Sequence, residues 1–397
     1  MMKLSVVSLA LAAVAVPATA AVGMDAKSAG AGYTGIASGD FTRAPLNPAL
    51  LTRFEEGDDL YIRLGVNALA KEYEDALDQV DDTQDAIERF EDKINAMDPT
   101  DPPTQADADA LLAELEALDD TRLVGEANLD LGIFVPSDTL AWGLTIGGYV
   151  VANGDFDYAD NDRVLVEQAL VTGVFDPDQL QSEGVAHAVV VSEVALNLAR
   201  ELSLPGIGEF SVGVSPKYQR LDTYLYRANI NNYDNEDYFD DDYLSDDAGF
   251  NLDLGLHKAY GNWRFGLVGY NLIEHSIDNM EGHTLTLKPT YAAAVAWQQG
   301  IFGATVEADL VEDESFVVES SAPQLLKARQ LVRTGLELTW THAQLRAGYV
   351  TDLSDNYEDL LTFGLGISPW DCFSLDLAAQ FGDDEERGAA LQLGWKF

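Results

Sequence analysis

The chain has 397 residues, and its 68 acidic residues against 23 basic ones give a formal net charge of −45 at pH 7. Proteins bind nucleic acid through basic surfaces that neutralise phosphates, so this composition excludes a nucleic-acid-binding protein. The single cysteine, Cys372, excludes a disulfide framework. The length allows either two soluble domains or one large barrel.

The N-terminus has the three parts of a secretory signal peptide. Lys3 supplies the positive charge, Leu4–Val16 is an apolar run, and Ala18-Thr19-Ala20 provides small residues before a cleavage point. We therefore predict that residues 1–20 are a signal peptide and that the protein is exported. No later stretch approaches the roughly 18 continuous apolar residues of a membrane helix. If the mature chain crosses a membrane, it must do so as a closed barrel, because only helices and barrels satisfy their backbone in lipid.

Residues 21–58 are rich in glycine and have neither a helical nor a strand period, which predicts a compact irregular segment. Its motif residues are Gly30, Gly32, Gly35 and the tripeptide Asn47-Pro48-Ala49. A dinucleotide-binding loop is excluded because no strand precedes the glycines.

Residues 59–397 carry the pattern of a barrel, interrupted once by a helical insert at 71–122. Within this insert, apolar residues from Leu77 to Ile94 recur at three- and four-residue spacing, which predicts a helix. Pro102 and Pro103 end that helix, and Thr104 with Asp107 predicts an N-cap opening a second one. The insert holds 18 acidic and 4 basic residues. We predict an acidic helical hairpin that either serves as a spacer or docks an envelope protein.

Fourteen runs alternate apolar and polar residues, which predicts strands with one apolar and one polar side. Many are about ten residues or longer, as in a tilted membrane-spanning strand. We therefore predict an antiparallel outer-membrane β-barrel of about 14 strands. Its strands are expected near 60–68, 124–135, 139–151, 186–200, 209–224, 247–259, 262–273, 284–298, 301–312, 328–340, 343–351, 358–367, 372–381 and 388–397.

The connections alternate between short turns and longer acidic segments, among them the helical hairpin and Ala152–Val185. Outer-membrane barrels have short periplasmic turns and longer extracellular loops, so we predict that the hairpin lies outside the cell. All six tryptophans lie near the short turns or the C-terminus, as expected for residues at a membrane interface. They are Trp142, Trp263, Trp297, Trp340, Trp370 and Trp395.

The last strand places Leu391, Leu393, Trp395 and Phe397 on one side. This ending resembles the signal by which the barrel assembly machinery recognises outer-membrane proteins. We predict that Trp395 and Phe397 serve as that signal and that outer-membrane lipid surrounds the strands.

The polar side of the strands is predicted to face the lumen. It carries both charge signs, so the side chains either pair with each other across the lumen or line water. The candidates are Arg63, Glu193, Lys217, Arg264, Glu307, Arg333, Glu337 and Arg346. The five histidines show no ligand spacing, and no local motif indicates a nucleophile or a calcium loop. We predict no catalytic site, no metal site and no cofactor.

The segment Gly30–Asp40, the Asn47-Pro48-Ala49 tripeptide and the fourteen strands resemble the long-chain fatty-acid transporter superfamily of outer-membrane proteins. In that superfamily an N-terminal segment folds into the barrel as a plug, which implies a plug at 21–58. The stretch Ala44–Leu51 followed by an acidic insert resembles more closely the TraF family of conjugal transfer proteins. The first interpretation is a non-enzymatic envelope protein of plasmid transfer. The alternatives are a channel for hydrophobic solutes such as fatty acids and a soluble periplasmic β-protein that binds a partner.

Overall fold

The computed structural model describes residues 25–73, 76–96, 98–119, 121–233, 241–318, 326–370, 372–382 and 386–397. The predicted signal peptide lies outside the described residues. None of the described helices has the length and apolar composition needed to cross a membrane. Ahead of the barrel, the chain forms one short helix, α1 (Ala26–Ala29), and two 3-10 turns, Phe41–Arg43 and Pro48–Thr52.

Fourteen antiparallel strands form one closed barrel, which confirms the predicted fold class. The strands are β1 (Tyr61–Tyr73), β2 (Arg122–Val135), β3 (Ala141–Asp157), β4 (Glu183–Leu204), β5 (Gly208–Asn229), β6 (Leu244–Tyr260), β7 (Trp263–Tyr270), β10 (Thr290–Gln299), β11 (Phe302–Asp309), β12 (Leu331–Thr339), β13 (Ala343–Asp352), β14 (Leu360–Trp370), β15 (Phe373–Phe381) and β16 (Arg387–Lys396). Two further strands, β8 (His275–Asp278) and β9 (Thr284–Leu287), form a separate two-stranded sheet. The barrel closes where β1 pairs with β16, with Leu64 opposite Leu393.

The outer surface of the barrel is apolar on every strand. Each of the fourteen strands exposes at least one large apolar side chain, although an exposed apolar belt of this size is unfavourable in water. A closed barrel with such a belt is stable in a bilayer. One example from each strand, in chain order, is Leu64, Leu129, Ile146, Val194, Tyr218, Leu254, Phe265, Val295, Val306, Leu336, Leu345, Phe363, Leu377 and Leu391.

β4 and β5 are 22 residues long each, and the predicted strands at 186–200 and 209–224 were therefore too short. About ten residues suffice to cross a bilayer, so both strands project beyond it. The projection lies at the end of the barrel where the longer connections are, here called the long-connection end. The opposite, short-connection end carries tight turns such as 205–207 and 261–262.

Helices pack together at the long-connection end. The predicted hairpin is present as α2 (Ala76–Ala96) and α3 (Gln105–Ala117), and Thr104 forms the capping box with Asp107. A third helix, α4 (Asn161–Thr172), occupies a connection for which the sequence predicted no helix. Half of its twelve residues are apolar, but among these only Val166 and Ala169 are buried, and they join the apolar cluster of the hairpin.

The predicted strand at 284–298 is two elements, β9 and β10, and β7 ends at Tyr270 instead of residue 273. Pro289 separates β9 from β10, and proline has no N–H to donate to a strand ladder. The hairpin formed by β8 and β9 packs on the inner side of β3, β4 and β5. This inner apolar cluster comprises Tyr149, Val151, Val189, Val191, Leu221, Ile277, Leu285, Leu287, Phe316, Val318 and Leu326.

Candidate functional site

The N-terminal segment (Asp25–Asp58) lies inside the ring of strands. Its first part, α1, contacts β14–β16, and its turn Pro48–Thr52 contacts β3–β6 on the other side of the barrel. Asp25, Asp40 and Asn47 cap its three short turns. Each cap oxygen accepts a backbone N–H, as for Ser28 on Asp25 at 2.6 Å. Glycine and alanine supply 11 of its 34 residues, so the segment has few large side chains of its own and packs against the barrel wall.

Six glycines of the wall form the seat of this segment. At each of them an added Cβ would lie within 3.0 Å of an atom of the segment. Real Cβ atoms do not approach that closely, so only glycine lets the two backbones meet at these positions. All six have the inward parity of their strands, one on each of β5, β6, β7, β12, β13 and β14. They are Gly213, Gly255, Gly266, Gly335, Gly348 and Gly364.

The three motif glycines of the segment all contact the barrel wall. A Cβ on Gly30 would lie 2.5 Å from Cα of Gly364. Gly32 has a positive φ of 64° and donates its N–H to Oγ1 of Thr362 at 2.8 Å. Gly35 donates its N–H to Glu307 at 3.0 Å. These glycines therefore serve close approach and backbone hydrogen bonding to the wall.

Asn47 joins the segment to itself and to the wall. Its Nδ2 donates to the carbonyl of Ile36 at 2.9 Å and to that of Leu256 on β6 at 3.1 Å. Its Oδ1 accepts the N–H of Ala49 at 3.1 Å. Pro48 and Ala49 lie against Gly213. The tripeptide is thus a fixed corner of the segment, with the Asn47 side chain buried.

A buried chain of charges ties the start of the segment to β1 and β2. Asp25 accepts Nε of Arg43 at 3.0 Å and lies 3.5 Å from NH1 of Arg63. Arg63 also pairs with Asp130 at 2.6 Å and donates to the carbonyl of Thr42. The side chains of Asp25, Arg63 and Asp130 are fully buried. Removing one partner from such a cluster leaves an uncompensated buried charge.

The structure groups the other lumen candidates into three further clusters. In the first, Lys217 lies 3.2 Å from Glu193 and 3.0 Å from Asp253. In the second, Arg333 pairs with Asp309 at 2.7 Å beside Glu307, which accepts two N–H groups of the N-terminal segment. The third joins Arg346 to Asp376 at 2.9 Å and to Glu337 at 3.2 Å. Seven of the eight candidates therefore take part in inward-facing polar clusters.

Arg264 is the exception among these candidates. It is half-buried and donates to the carbonyls of Gly261 and Trp263 at the short-connection end. No ion pair of Arg264 is found within the described part of the chain. Asp25 and Arg43 were not predicted as site residues because they lie in an irregular segment, where no period indicates which way a side chain points. The capping position of Asp25 was the available signal.

A cavity of about 1180 Å³ opens below the N-terminal segment at the short-connection end and is here called the vestibule. Lys27, Asp40 and Arg53 of the segment line it, together with wall residues that include Tyr61 and Gly394. The lining carries charges of both signs, so the vestibule is suited to water and polar groups.

The C-terminal residue completes the barrel seam. The carbonyl of Phe397 accepts the N–H groups of Asp59 at 3.0 Å and Leu60 at 3.2 Å, and its own N–H donates to Leu60. Trp395 packs edge-on against Phe373 with ring centroids 5.9 Å apart. The role of Trp395 and Phe397 in assembly remains a prediction.

Comparison with known protein families shows to which family the chain belongs. A family described as "F plasmid transfer operon, TraF, protein" matches residues 44–309. The chain belongs to this TraF family. A search of curated proteins found no significant match to the sequence.

Solved structures of low sequence identity share the fold of this chain. The toluene transporter TbuX of Ralstonia pickettii has a TM-score of 0.56 and 12% identity, covering 94% of this chain and 98% of that chain. The monoaromatic hydrocarbon channel CymD has a TM-score of 0.55 and 12% identity, covering 96% and 99%. The Pseudomonas putida toluene transporter TodX has a TM-score of 0.50 and 14% identity, covering 94% and 96%. Together with the apolar belt, the fold identifies this member of the TraF family as a β-barrel of the bacterial outer membrane.

Proposed function

We propose that the protein is an outer-membrane channel for small apolar solutes, with the N-terminal segment acting as its plug. The inner apolar cluster carries this proposal. Five wall residues from β3, β4 and β5 turn apolar side chains inward there, against the β8–β9 hairpin. Water-filled barrels have polar interiors, and an apolar lining favours apolar solutes because it offers them a site away from water.

The structures similar in fold support this solute class. Their names describe toluene transporters and monoaromatic hydrocarbon channels. The hairpin is suited to be the movable part of the route, since β8 and β9 have only four residues each and form a sheet separate from the barrel. A solute entering from the long-connection end would displace it from the apolar wall. We infer that this role involves no catalytic step.

Uptake of radiolabelled toluene by cells that express the full-length protein tests the proposal. Expressing cells should accumulate toluene faster than cells with an empty vector. Val191→Asn and Leu285→Asn place an amide in the inner apolar cluster and should lower uptake, whereas Ser276→Asn on the exposed side of the hairpin should not. The gel migration of each variant before and after boiling shows whether the barrel has folded. Uptake equal to the empty vector would overturn the proposal.

A role in plasmid transfer is the second candidate, and the family match over residues 44–309 favours it. In this function the acidic helices α2 and α3 would dock a basic envelope protein, since opposite charge steers association. The test is the frequency of plasmid transfer from a donor that lacks the gene. We expect the full-length gene to restore transfer and a gene lacking residues 74–121 not to restore it. An unchanged frequency in the deletion strain would contradict this role.

A further inference from the structure

One row of inward-facing residues crosses four neighbouring strands beside the N-terminal segment. Gly65 on β1 stands opposite Asp130 on β2 and Gln392 on β16, and Gln392 stands opposite Asp376 on β15. The side chains of Asp130, Gln392 and Asp376 are at most 1% exposed. Yet both amide atoms of Gln392, Oδ1 of Asp130 and Oδ2 of Asp376 have no hydrogen-bond partner among the described residues.

Buried polar atoms in proteins are almost always hydrogen-bonded, to the protein or to ordered water. The row has four such atoms close together, and Gln392 can satisfy none of its side-chain hydrogen bonds through the described protein. Gly65 leaves room beside them. Within 4 Å, a Cβ added at Gly65 would meet only the carboxylate of Asp130, with Oδ1 at 2.8 Å and Cγ at 3.7 Å. A polar site with space and several unsatisfied groups is one that water occupies.

Polar residues continue this row towards both ends of the barrel. Towards the short-connection end, the next inward residues are Gly394 and Ser374, which line the vestibule. Towards the long-connection end, Asn67 pairs with Asn128, and the following inward residue of β2 is Glu126. Oε2 of Glu126 is another buried atom without a partner in the described chain. Successive inward residues are two positions apart, so the three steps from Gly394 to the level of Glu126 span six residues. At about 3.3 Å per residue this is about 20 Å.

We propose that this row is the narrow part of a hydrated passage that carries water and small polar solutes past the N-terminal segment. The passage runs along β1, β2, β15 and β16, on a different sector of the wall from the apolar residues of β3–β5. It therefore stands independently of the apolar-solute channel. Its lining contains both carboxylates and cations, including Asp376 and Arg63, so we expect little discrimination by charge.

Osmotic shrinkage of proteoliposomes that contain the full-length protein, followed by stopped-flow light scattering, measures this passage. Wild-type protein should raise the water permeability above that of protein-free liposomes. Gln392→Leu removes both unsatisfied amide atoms and should lower the protein's contribution at least about threefold, because an apolar constriction expels water. Gln392→Met provides a second apolar replacement if the leucine variant does not assemble.

Gln298→Leu is the matched control, since it makes the same change at an exposed position on β10. It should leave water permeability at the wild-type value. Migration on gels before and after boiling confirms that equal amounts of folded barrel are compared. Wild-type permeability equal to that of protein-free liposomes would overturn the proposal, as would a folded Gln392 variant that conducts water as fast as wild type.

Discussion

Asp25 is the residue on which the anchoring of the N-terminal segment depends most. Its carboxylate is fully buried and serves two cations at once, Arg43 within the segment and Arg63 on β1. Without the Asp25 carboxylate, Arg63 would retain Asp130 as a partner, whereas Arg43 would lose the carboxylate to which its Nε donates. Breaking a buried ion pair costs far more than breaking a surface one, because the remaining charge has been removed from water.

We therefore predict that Asp25→Asn lowers the free energy of unfolding by about 3 kcal/mol. Asparagine caps a helix as well as aspartate does, so the substitution isolates the lost charge. Asp40→Asn is the control, because Asp40 also caps a turn but is exposed, and it should cost only a few tenths of a kcal/mol. Denaturant unfolding of the detergent-solubilised barrel measures both. Equal stabilities of the two variants would contradict the importance of the buried cluster.

The glycine seat of the wall also holds the N-terminal segment in place. Gly348→Ala would drive a Cβ into the backbone of Ala31 and Gly32 and should displace the segment. Gly303→Ala on β11 is the matched control, because the nearest atom to its Cβ would be 3.6 Å away. If the segment is a plug, only Gly348→Ala should raise the conductance in planar bilayers. An unchanged conductance with a folded barrel would show that the segment does not limit passage.

Most of the barrel could be predicted from the sequence because lipid on one side and the lumen on the other impose a period of two on every strand. β8 escaped prediction and β9 was predicted only as the start of a longer strand, since four residues are too few to establish that period. The ion pairs among inward residues such as Lys217 and Asp253 depend on strand register, which the sequence does not specify. The glycine seat could have been predicted from the sequence, because all six wall glycines lie at inward-facing positions of their strands.

At the scale of the whole molecule, the two ends of the barrel differ in structure and charge. The short-connection end has tight turns and the interface tryptophans, four of which are at least 42% exposed. The long-connection end carries the projecting strands and the helices α2–α4. The insert at 71–122, with its 18 acidic residues, belongs to this end. Such a surface is repelled by anionic phosphate groups on the membrane, so it suits a position above the bilayer and not within it.

This asymmetry predicts the orientation of the protein in the outer membrane. Since extracellular loops of such barrels are the longer ones, the connection between α2 and α3 should be outside the cell. Its residues 98–102 are exposed, so proteinase K added to intact cells should cut there and leave the barrel strands protected. The exposed turn at 205–207 is the internal control and should be cut only after the outer membrane is permeabilised. Cleavage of the turn in intact cells, with the helical connection protected, would require the opposite orientation and would place the acidic helices in the periplasm.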